Sequence, residues 1–592
     1  MSNEKLDSSN EALAQLEMMR HSLSHIMAQA VLKIYPQAQL TIGPAVANGF
    51  YYDFDLGENS FSPENLKQIQ KEMERIVRED QKFEQYLLPI SEAKEKLKNN
   101  PYKLELIVDL EKEGETQISF YKNLNKNGEV VFEDMCRGPH LNSTKEVGSF
   151  KVQKVAGAYW RGDEHNKMLQ RLYALAFATE QELADYQNML VEAEKRDHRK
   201  IGKELGLFIF SELVGPGLPL YTAKGAKLRR MIADYSRTLR EAIGYEEVHT
   251  PNMNKAELFK VSGHYDKYKD DMFEVHSHYT DEEYYLKPMN CPQHTQIFAS
   301  VGRSYRDLPV RIADFANLYR DEKPGELSGL TRLRCFCQDD GHCFCREDQI
   351  KSEFNNVLGA IKKAMIKYGL NYHIRLSLRD ENKKEKYLGD NDVWEKSQNL
   401  LREILVEQQI EFVATQGEAA FYGPKMDLIV KDSLGREWQI STIQLDFNMP
   451  KRFSLEYTDE NGEKKQPIMI HSAIVGSPER FMGILIEHYA GAFPLWLSPE
   501  QIRVLPVSEK FIDYAEKVKV ELKEKGWRVT VDNNSESLPK RIRTAEKEKL
   551  PYILVIGEKE VEAQTVAVRR RGEGDLGVKP LSEFLEILRI EN

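Results

Sequence analysis

The sequence predicts a multidomain protein of mixed class, α+β over most of its length and α/β at its C-terminal end. Three observations carry this. At 592 residues the chain is too long for one hydrophobic core, and three or four domains is the natural division. The stretch Phe315 to Arg346 reads as two antiparallel strands joined by a loop containing Pro324, Gly325 and Gly329. Beyond about Pro499 the texture changes to strands alternating with amphipathic helices, which implies a parallel sheet.

Composition narrows the class further. No apolar run approaches the ~18–20 residues needed to cross a bilayer. The N-terminal MSNEKLDSSNEALAQ is acidic and polar, unlike a signal or transit peptide, so a cytosolic location is expected. The six cysteines are too sparse for a disulfide framework, and four of them (Cys335, Cys337, Cys343, Cys345) are clustered, which points to metal or buried thiols. A net charge of −11 argues against a sequence-blind nucleic-acid coat but leaves room for a nucleic-acid enzyme with local basic patches.

The central stretch carries the strongest pattern. Alternate residues of a strand share a face. The even face here would carry Arg332, Arg334, Phe336, Gln338, Asp340 and His342, and the odd face Leu333, Cys335, Cys337, Asp339, Cys343 and Cys345. Arginine grips phosphate bidentately, and an aromatic ring stacks on a base, so the even face suits a phosphate-bearing substrate with a planar base. Tyr319-Arg320-Asp321-Glu322, a loop, and Arg332 to His342 resemble the second signature motif of class II aminoacyl-tRNA synthetases. The FCQDDGH ending is similar to the threonyl branch of that family, and the resemblance runs from about Arg20 to about residue 590.

The resemblance implies an order of domains: a disordered tail over 1–12, an α+β editing domain over 13–178, a linker helix over 179–203, a class II catalytic domain on an antiparallel sheet over 204–499, and an α/β anticodon-binding domain over 500–592. Most threonyl members begin with a small ubiquitin-like module, for which this chain has no room ahead of its first helix.

A helix is expected over roughly Glu11 to Tyr35, containing His21-Ser-Leu-Ser-His25, with both imidazoles on one face. Alone this spacing fits two surface histidines. Cys136-Arg-Gly-Pro-His140 repeats it as CxxxH, and together they make a plausible tetrahedral zinc set. The resemblance to the threonyl and alanyl editing domain makes these four residues a hydrolytic pocket that places a water, with Tyr52, Lys103 and Asp134 beside them. The charged helix after Glu180 includes Arg196, His198, Arg199 and Lys200, read as a solvated face that could also touch RNA.

Gly225 to Ile243 shows an apolar stripe of helical period, followed by a strand and Pro251, and resembles the first class II motif, which in the family builds a symmetric homodimer. Lys287-Pro-Met-Asn-Cys291-Pro-Gln-His294 follows, where the resemblance assigns Cys291 alone as a metal ligand. Further on come Tyr422 and Lys425 in FYGPKMD, then a strand on which Thr442 and Gln444 share a face, with Gln439 joining them only through a bulge. MIHSAIVGSPER, with His471, Ser477 and Arg480, precedes a helix opening near Pro478 and resembles the third class II motif. Near the C-terminus, Glu562, Arg569 and Arg571 stand at positions suited to base reading, although the arginine run equally suits a phosphate-facing cluster.

What the resemblance implies is ATP-dependent ligation of L-threonine to tRNA(Thr) through a threonyl-adenylate, with Mg2+ and one zinc per subunit. Cys291, His342 and His471 would hold the zinc; three protein ligands leave a position open, as catalytic zinc sites do. Arg320 would hold the α-phosphate, Phe336 would stack on adenine and Arg480 would stabilise the γ-phosphate. Glu322, Arg332, Gln338, Asp340, Tyr422, Lys425, Gln439, Thr442, Gln444 and Ser477 complete the site. A four-cysteine knuckle is the competing zinc assignment, against the CxC spacing. An RNA-binding regulator without ligase activity is the competing function, against the intact Arg320, Glu322 and Arg480.

Overall fold

The computed structural model describes residues 3–163 and 165–591, with side chains from Glu11 onward. The chain forms two compact units, Met1–Val191 and Glu192–Asn592. The boundary falls inside the stretch expected to link domains.

In the first unit, helix α1 spans Asn3–Ile34. It therefore starts earlier than the tail expected over 1–12 allows, and the side chains of the first ten residues lie outside those described. Leu23, Ile26, Met27 and Val31 of α1 are fully buried. They join a core with Phe50 and Phe54 of strand β1 (Gly49–Asp55) and Ile69, Met73 and Ile76 of helix α2 (Pro63–Glu79). Helix α2 opens at Ser62, whose side chain accepts from the Asn65 backbone while the Asn65 side chain reaches back, a reciprocal cap. Strand β2 (Lys82–Pro89), helix α3 (Pro101–Lys112), and strands β3 (Gln117–Leu124) and β4 (Val130–Met135) come next, then the long hairpin β5 (Ser149–Tyr159) and β6 (Met168–Phe177). The antiparallel orders β1-β6-β5 and β2-β3-β4 give two sheets.

The charged stretch after Thr179 is two helices, α4 (Glu180–Arg196) and α5 (His198–Glu204), where one was expected. Asp197 caps the second, its side chain accepting from the Arg199 N–H. His198, expected on a solvated face, is buried.

In the second unit, helix α6 (Ala223–Glu241) leads to strand β7 (Glu246–Glu247) and helix α7 (Cys291–Ala299). Strands β8 (Val310–Asp314), β9 (Asn317–Tyr319), β10 (Cys335–Cys337) and β11 (Asp340–Cys345) follow. After helix α8 (Ile350–Lys367) come β12 (Asn371–Leu378), helix α9 (Asn391–Glu407), β13 (Phe412–Gln416), β14 (Lys425–Lys431), β15 (Glu437–Asp446), β16 (Ile468–Ala473) and helix α10 (Pro478–His488). Among the described residues the main sheet runs β7-β8-β11-β16-β15-β14-β12-β13, antiparallel except at its two ends. Helices α8 and α10 bury Phe354, Val357, Ile361, Phe481 and Leu485 in its core.

The single strand expected over 332–345 is divided. Strand β10 pairs with β9, whereas β11 belongs to the main sheet. The step between them is made by Asp339, whose buried carboxylate accepts from the N–H groups of Ile474, Val475 and Gly476 and from Ser236 Oγ. Parity survives the step, and Cys343 and Cys345 face the core.

The C-terminal segment contains β17 (Ile502–Pro506), helix α11 (Ile512–Glu524), β18 (Val529–Val531), helix α12 (Leu538–Lys547), β19 (Tyr552–Ile556), helix α13 (Glu558–Ala563), β20 (Thr565–Arg570), β21 (Gly574–Pro580) and helix α14 (Leu581–Glu591). Its sheet, β18-β17-β19-β20-β21, is mixed rather than parallel throughout: the first three strands are parallel and the last two antiparallel. The connection from β19 through α13 is too short for a parallel crossover, which needs a dozen or more residues.

Candidate active sites

A cavity of about 710 Å3 opens on the main sheet of the second unit. Three buried donors from separate segments meet in it: Cys291 at the start of α7, His342 on β11 and His471 on β16. The register pairs His342 with His471 across the two strands, and His342 Nε2 lies 3.0 Å from His471 Nδ1. The other nitrogen of each ring is engaged. His471 Nε2 meets Asp446 Oδ2 at 2.9 Å, and His342 Nδ1 meets His294 Nδ1 at 2.7 Å. With a proton on each of those outer nitrogens, two lone pairs face each other at 3.0 Å, an arrangement that calls for a cation between them. Burial pushes the Cys291 thiol well up and draws His342 well down. A buried thiol beside two imidazoles with carboxylate and imidazole partners behind them fits zinc. Among the described residues, no group of three potential metal donors includes Cys335, Cys337, Cys343 or Cys345.

The rest of the cavity is lined by charged and flat groups. Arg320 lies over the Phe336 ring, 5.1 Å from its centroid. Arg332 donates to Glu322 (2.7 Å) and to Glu326 (2.8 Å). Ser477 caps α10, accepting from the Arg480 N–H at 3.3 Å, and the Arg480 guanidinium stands 6.0 Å from the Trp438 ring. Gln338 and Asp340 lie between Phe336 and His342 in sequence and line the same cavity, and burial pushes the Asp340 carboxyl up to about 6. Strand β15 supplies Thr442 and Gln444, and Tyr422 donates to Gln444. A bulge in β15 opposite Leu428 and Ile429 brings Gln439 onto the same face, where it donates to Asp427 at 2.9 Å.

One expected member departs, and so does one further residue of the even face. Lys425 does not line the cavity; it is buried and paired with Asp427, whose carboxylate also accepts from Thr442 and Ser377. Arg334, on the even face of the pattern, turns away to donate to the Glu322 carbonyl and pair with Asp321. Two neighbours, Asp446 and Trp438, escaped sequence reasoning, and the role of a third, His294, differs from the one its spacing suggests. Asp446 follows Thr442 and Gln444 at period two, so strand parity was its signal. Trp438 precedes the bulge and has none. The Cys-x-x-His spacing singles out His294, one turn from Cys291; Pro292 opens helix α7 rather than making a turn that parts the pair, and His294 backs His342.

The first unit holds a second cavity, of about 580 Å3. Its donors are again brought from two segments. Cys136 Sγ lies 3.1 Å from His21 Nε2 and 3.4 Å from His140 Nε2, with His25 packed 4.2 Å, ring to ring, from His140. Ser22 Oγ donates to the Met18 carbonyl and stands 3.1 Å from His140 Nδ1. Asp134 on β4 accepts from Tyr52 Oη (2.6 Å) and Lys103 Nζ (3.2 Å). Burial pushes the Cys136 thiol up to about 11 and draws His25 and His140 down. The Lys103 ammonium lowers His21 and His25 further. All seven residues expected at this site are brought together.

Of the residues expected to read a base, Glu562 is exposed and Arg569 half-buried. Arg571 is otherwise engaged: its guanidinium donates to the carbonyls of Lys549 (2.6 Å) and Phe493 (2.7 Å), which makes it a structural tie.

Comparison with known proteins bears on both cavities. The chain matches the models of the tRNA synthetase class II core domain (G, H, P, S and T) over residues 273–489, the anticodon binding domain over 501–591, and the threonyl and alanyl tRNA synthetase second additional domain over 118–173. It is 48% identical over 569 residues to the threonine–tRNA ligase of Acetivibrio thermocellus, covering 96% of this chain and 87% of that one. The corresponding protein of Gloeobacter violaceus is 46% identical over 587 residues, covering 97% and 92%. Among solved structures, the RNA binding domain of threonyl-tRNA synthetase from Cryptosporidium parvum superposes with a TM-score of 0.63 at 37% identity, covering 67% of this chain and 98% of that one.

Proposed function

The chain belongs to the threonine–tRNA ligases, and from that premise we propose how its two cavities divide the work. The protein uses ATP to attach threonine to tRNA and hydrolyses the mischarged product. The 710 Å3 cavity of the second unit is the synthetic site and the 580 Å3 cavity of the first is the editing site. One observation carries the assignment: Cys291, His342 and His471 share a cavity with Arg320, Phe336 and Arg480, so amino-acid donors and nucleotide groups line the same space.

In the synthetic site the threonine carboxylate attacks the α-phosphate of ATP, pyrophosphate leaves, and the acyl group then passes to a ribose hydroxyl of the tRNA with release of AMP. Arg320 faces the α-phosphate, the Phe336 ring takes the adenine, and Arg480 neutralises the pyrophosphate end. Catalysis is positioning and charge stabilisation without a covalent enzyme intermediate. Arg332, held by Glu322 and Glu326, orders the loop over the nucleotide. Gln338, Asp340, Tyr422, Gln439, Thr442 and Gln444 line the amino-acid and tRNA end. Cys291, His342 and His471 would hold a zinc, which when bound would supply Lewis-acid recognition of the threonine hydroxyl that valine lacks. A site that demands a polar group rejects the analogue lacking it far better than an apolar pocket does.

Serine differs from threonine by one methyl, worth ~1–3 kcal/mol, so a second sieve is needed. We assign that role to His21, His25, Cys136 and His140 placing a water, with Asp134, Tyr52 and Lys103 beside them. The contacts of the Cys136 thiol with His21 and His140, and the Lys103 ammonium nearby, favour water over a resident metal dication. The exposed apolar run Ile209, Phe210, Leu213 and Val214, ahead of α6, supports a homodimer through this face. Residues 13–178, 204–499 and 500–592 serve as editing, catalytic and anticodon-binding domains, with Glu562 and Arg569 as candidate base readers.

The test is threonine-dependent ATP–pyrophosphate exchange by the purified protein, expected to respond to threonine and not to valine. Exchange without threonine selectivity, or no exchange, sinks the assignment of the larger cavity.

A further inference from the structure

A buried histidine joins the nucleotide loop to helix α10, outside both cavities. His198 opens α5 and is 3% exposed. Its backbone N–H donates to Glu487 Oε1 at 3.1 Å, and its Nδ1 meets the same oxygen at 2.6 Å. The Leu330 backbone N–H donates to its Nε2 at 2.9 Å. A nitrogen that accepts must carry a lone pair, so the ring proton sits on Nδ1, where the Glu487 carboxylate accepts it. Glu487 is itself fixed by Arg436. The loop rests directly on the ring: Gly329 has φ +49, and a Cβ there would lie 2.1 Å from His198 Nε2. Asp197, whose carboxylate lies close to His198 and Glu487, is occupied by the Arg199 side chain and N–H. With those hydrogen bonds made, the cluster is a hydrogen-bonded post and offers no free donor set for a metal.

The residues that follow Gly329 are the ones that matter for chemistry. Leu330, Thr331 and Arg332 line the larger cavity, and so does Ser328 before it. Glycine at 329 gives the turn its left-handed backbone, but it also leaves the turn without a side chain to anchor it. His198 is the anchor, set from behind by a carboxylate on the same helix that carries Arg480 in its first turn. We propose that His198 is a positioning residue for the nucleotide: by accepting from Leu330 N–H while tied to Glu487, it holds the 328–332 loop in register with Arg480. This rests on the reading of the larger cavity as the ATP site.

Two substitutions separate the two ends of the ring. In His198→Gln the amide oxygen reaches the place of Nε2, so the contact with Leu330 is retained. In His198→Asn the shorter amide reaches only the place of Nδ1, so the contact with Glu487 is retained and that with Leu330 is lost. Threonine-dependent ATP–pyrophosphate exchange on the full-length protein should show KM for ATP raised roughly tenfold in His198→Asn, the effect of losing about one hydrogen bond, with KM for threonine unchanged. His198→Gln should return KM for ATP to within about threefold of the parent. A KM for ATP in His198→Asn equal to that of the parent overturns the proposal, as does an equal loss in both variants that tracks an equal fall in melting temperature. Absence of exchange in the unsubstituted protein overturns instead the ATP-site reading on which the proposal stands.

Discussion

At the scale of single residues, the metal donors depend on partners behind them. His471 is turned by Asp446 and His342 by His294, so each presents one nitrogen toward Cys291. Cys291→Ala is expected to abolish stoichiometric zinc in elemental analysis and to remove valine discrimination, whereas Cys335→Ala retains the metal. Asp446→Asn should keep the ligands but weaken zinc affinity by roughly 10–100-fold in a chelator competition, the usual cost of losing such a partner. Retention of full zinc by Cys291→Ala and its loss from Cys335→Ala would establish the four-cysteine alternative. Acid sensitivity has a residue-scale source as well. Burial alone would raise the Glu487 carboxyl, but hydrogen bonds from His198 and the charge of Arg436 outweigh it and hold the group below the usual carboxylate range. A folded value below the unfolded one means that the stability is fully present above about pH 4.3 and is lost as pH falls through the folded value. Thermal unfolding of Glu487→Gln should therefore decline less below about pH 4.3 than that of the unsubstituted protein, each relative to its own neutral melting temperature. Parallel declines would place the acid sensitivity elsewhere.

At the scale of elements, the site is held by helix α6 lying against strands β11 and β16. Buried Arg240 donates to the carbonyls of Asp339 (2.6 Å) and Ser472 (2.7 Å) and to Ser472 Oγ (3.1 Å). Gly341 sits beneath it, and a Cβ there would lie 1.9 Å from Arg240 Nη1. The guanidinium has no room to retreat because two of its acceptors are backbone carbonyls, of Asp339 in the step before β11 and of Ser472 on β16. Gly341→Ala should therefore destabilise the second unit by about 2–4 kcal/mol, the range for overpacking with loss of buried hydrogen bonds, read as a drop in melting temperature. A shift of under a degree would mean that Arg240 is not fixed. Period two made the functional face of β10 and β11 legible in the sequence, because Phe336, Gln338, Asp340 and His342 keep their parity across a break. The break itself was not legible, since it depends on Asp339 finding three N–H groups more than 130 residues away.

At the scale of the whole molecule, the residues proposed for synthesis and those proposed for hydrolysis lie in two separately compact units. Changes in one set should therefore spare the other. Cys136→Ala and His25→Ala are expected to accumulate seryl-tRNA while activating threonine at the rate of the unsubstituted protein, measured by mischarging and exchange assays side by side. If both variants still fail to accumulate seryl-tRNA while activating serine normally, the first unit is not the second sieve. A chelator that abolishes hydrolysis through the first unit would replace the placed water with a metal. Sedimentation at micromolar concentration is expected to give a dimer; a monomer would count against the interface drawn from Phe210 and Leu213.

The sequence by itself determined which residue types are present at which spacing. The HxxxH and CxxxH repeats, the Arg–Phe–Gln–Asp–His alternation and the SPER helix start are local patterns, and local geometry is what a strand or helix period encodes. The bulge that turns Gln439 inward and the neutral tautomer of His198 were decided by tertiary structure. So was the redirection of Lys425, Arg334 and Arg571, each to a carboxylate or carbonyl that only the folded chain brings near. A long cationic side chain is drawn to the strongest acceptor within its reach, and for buried positions that acceptor is set by packing rather than by sequence neighbours.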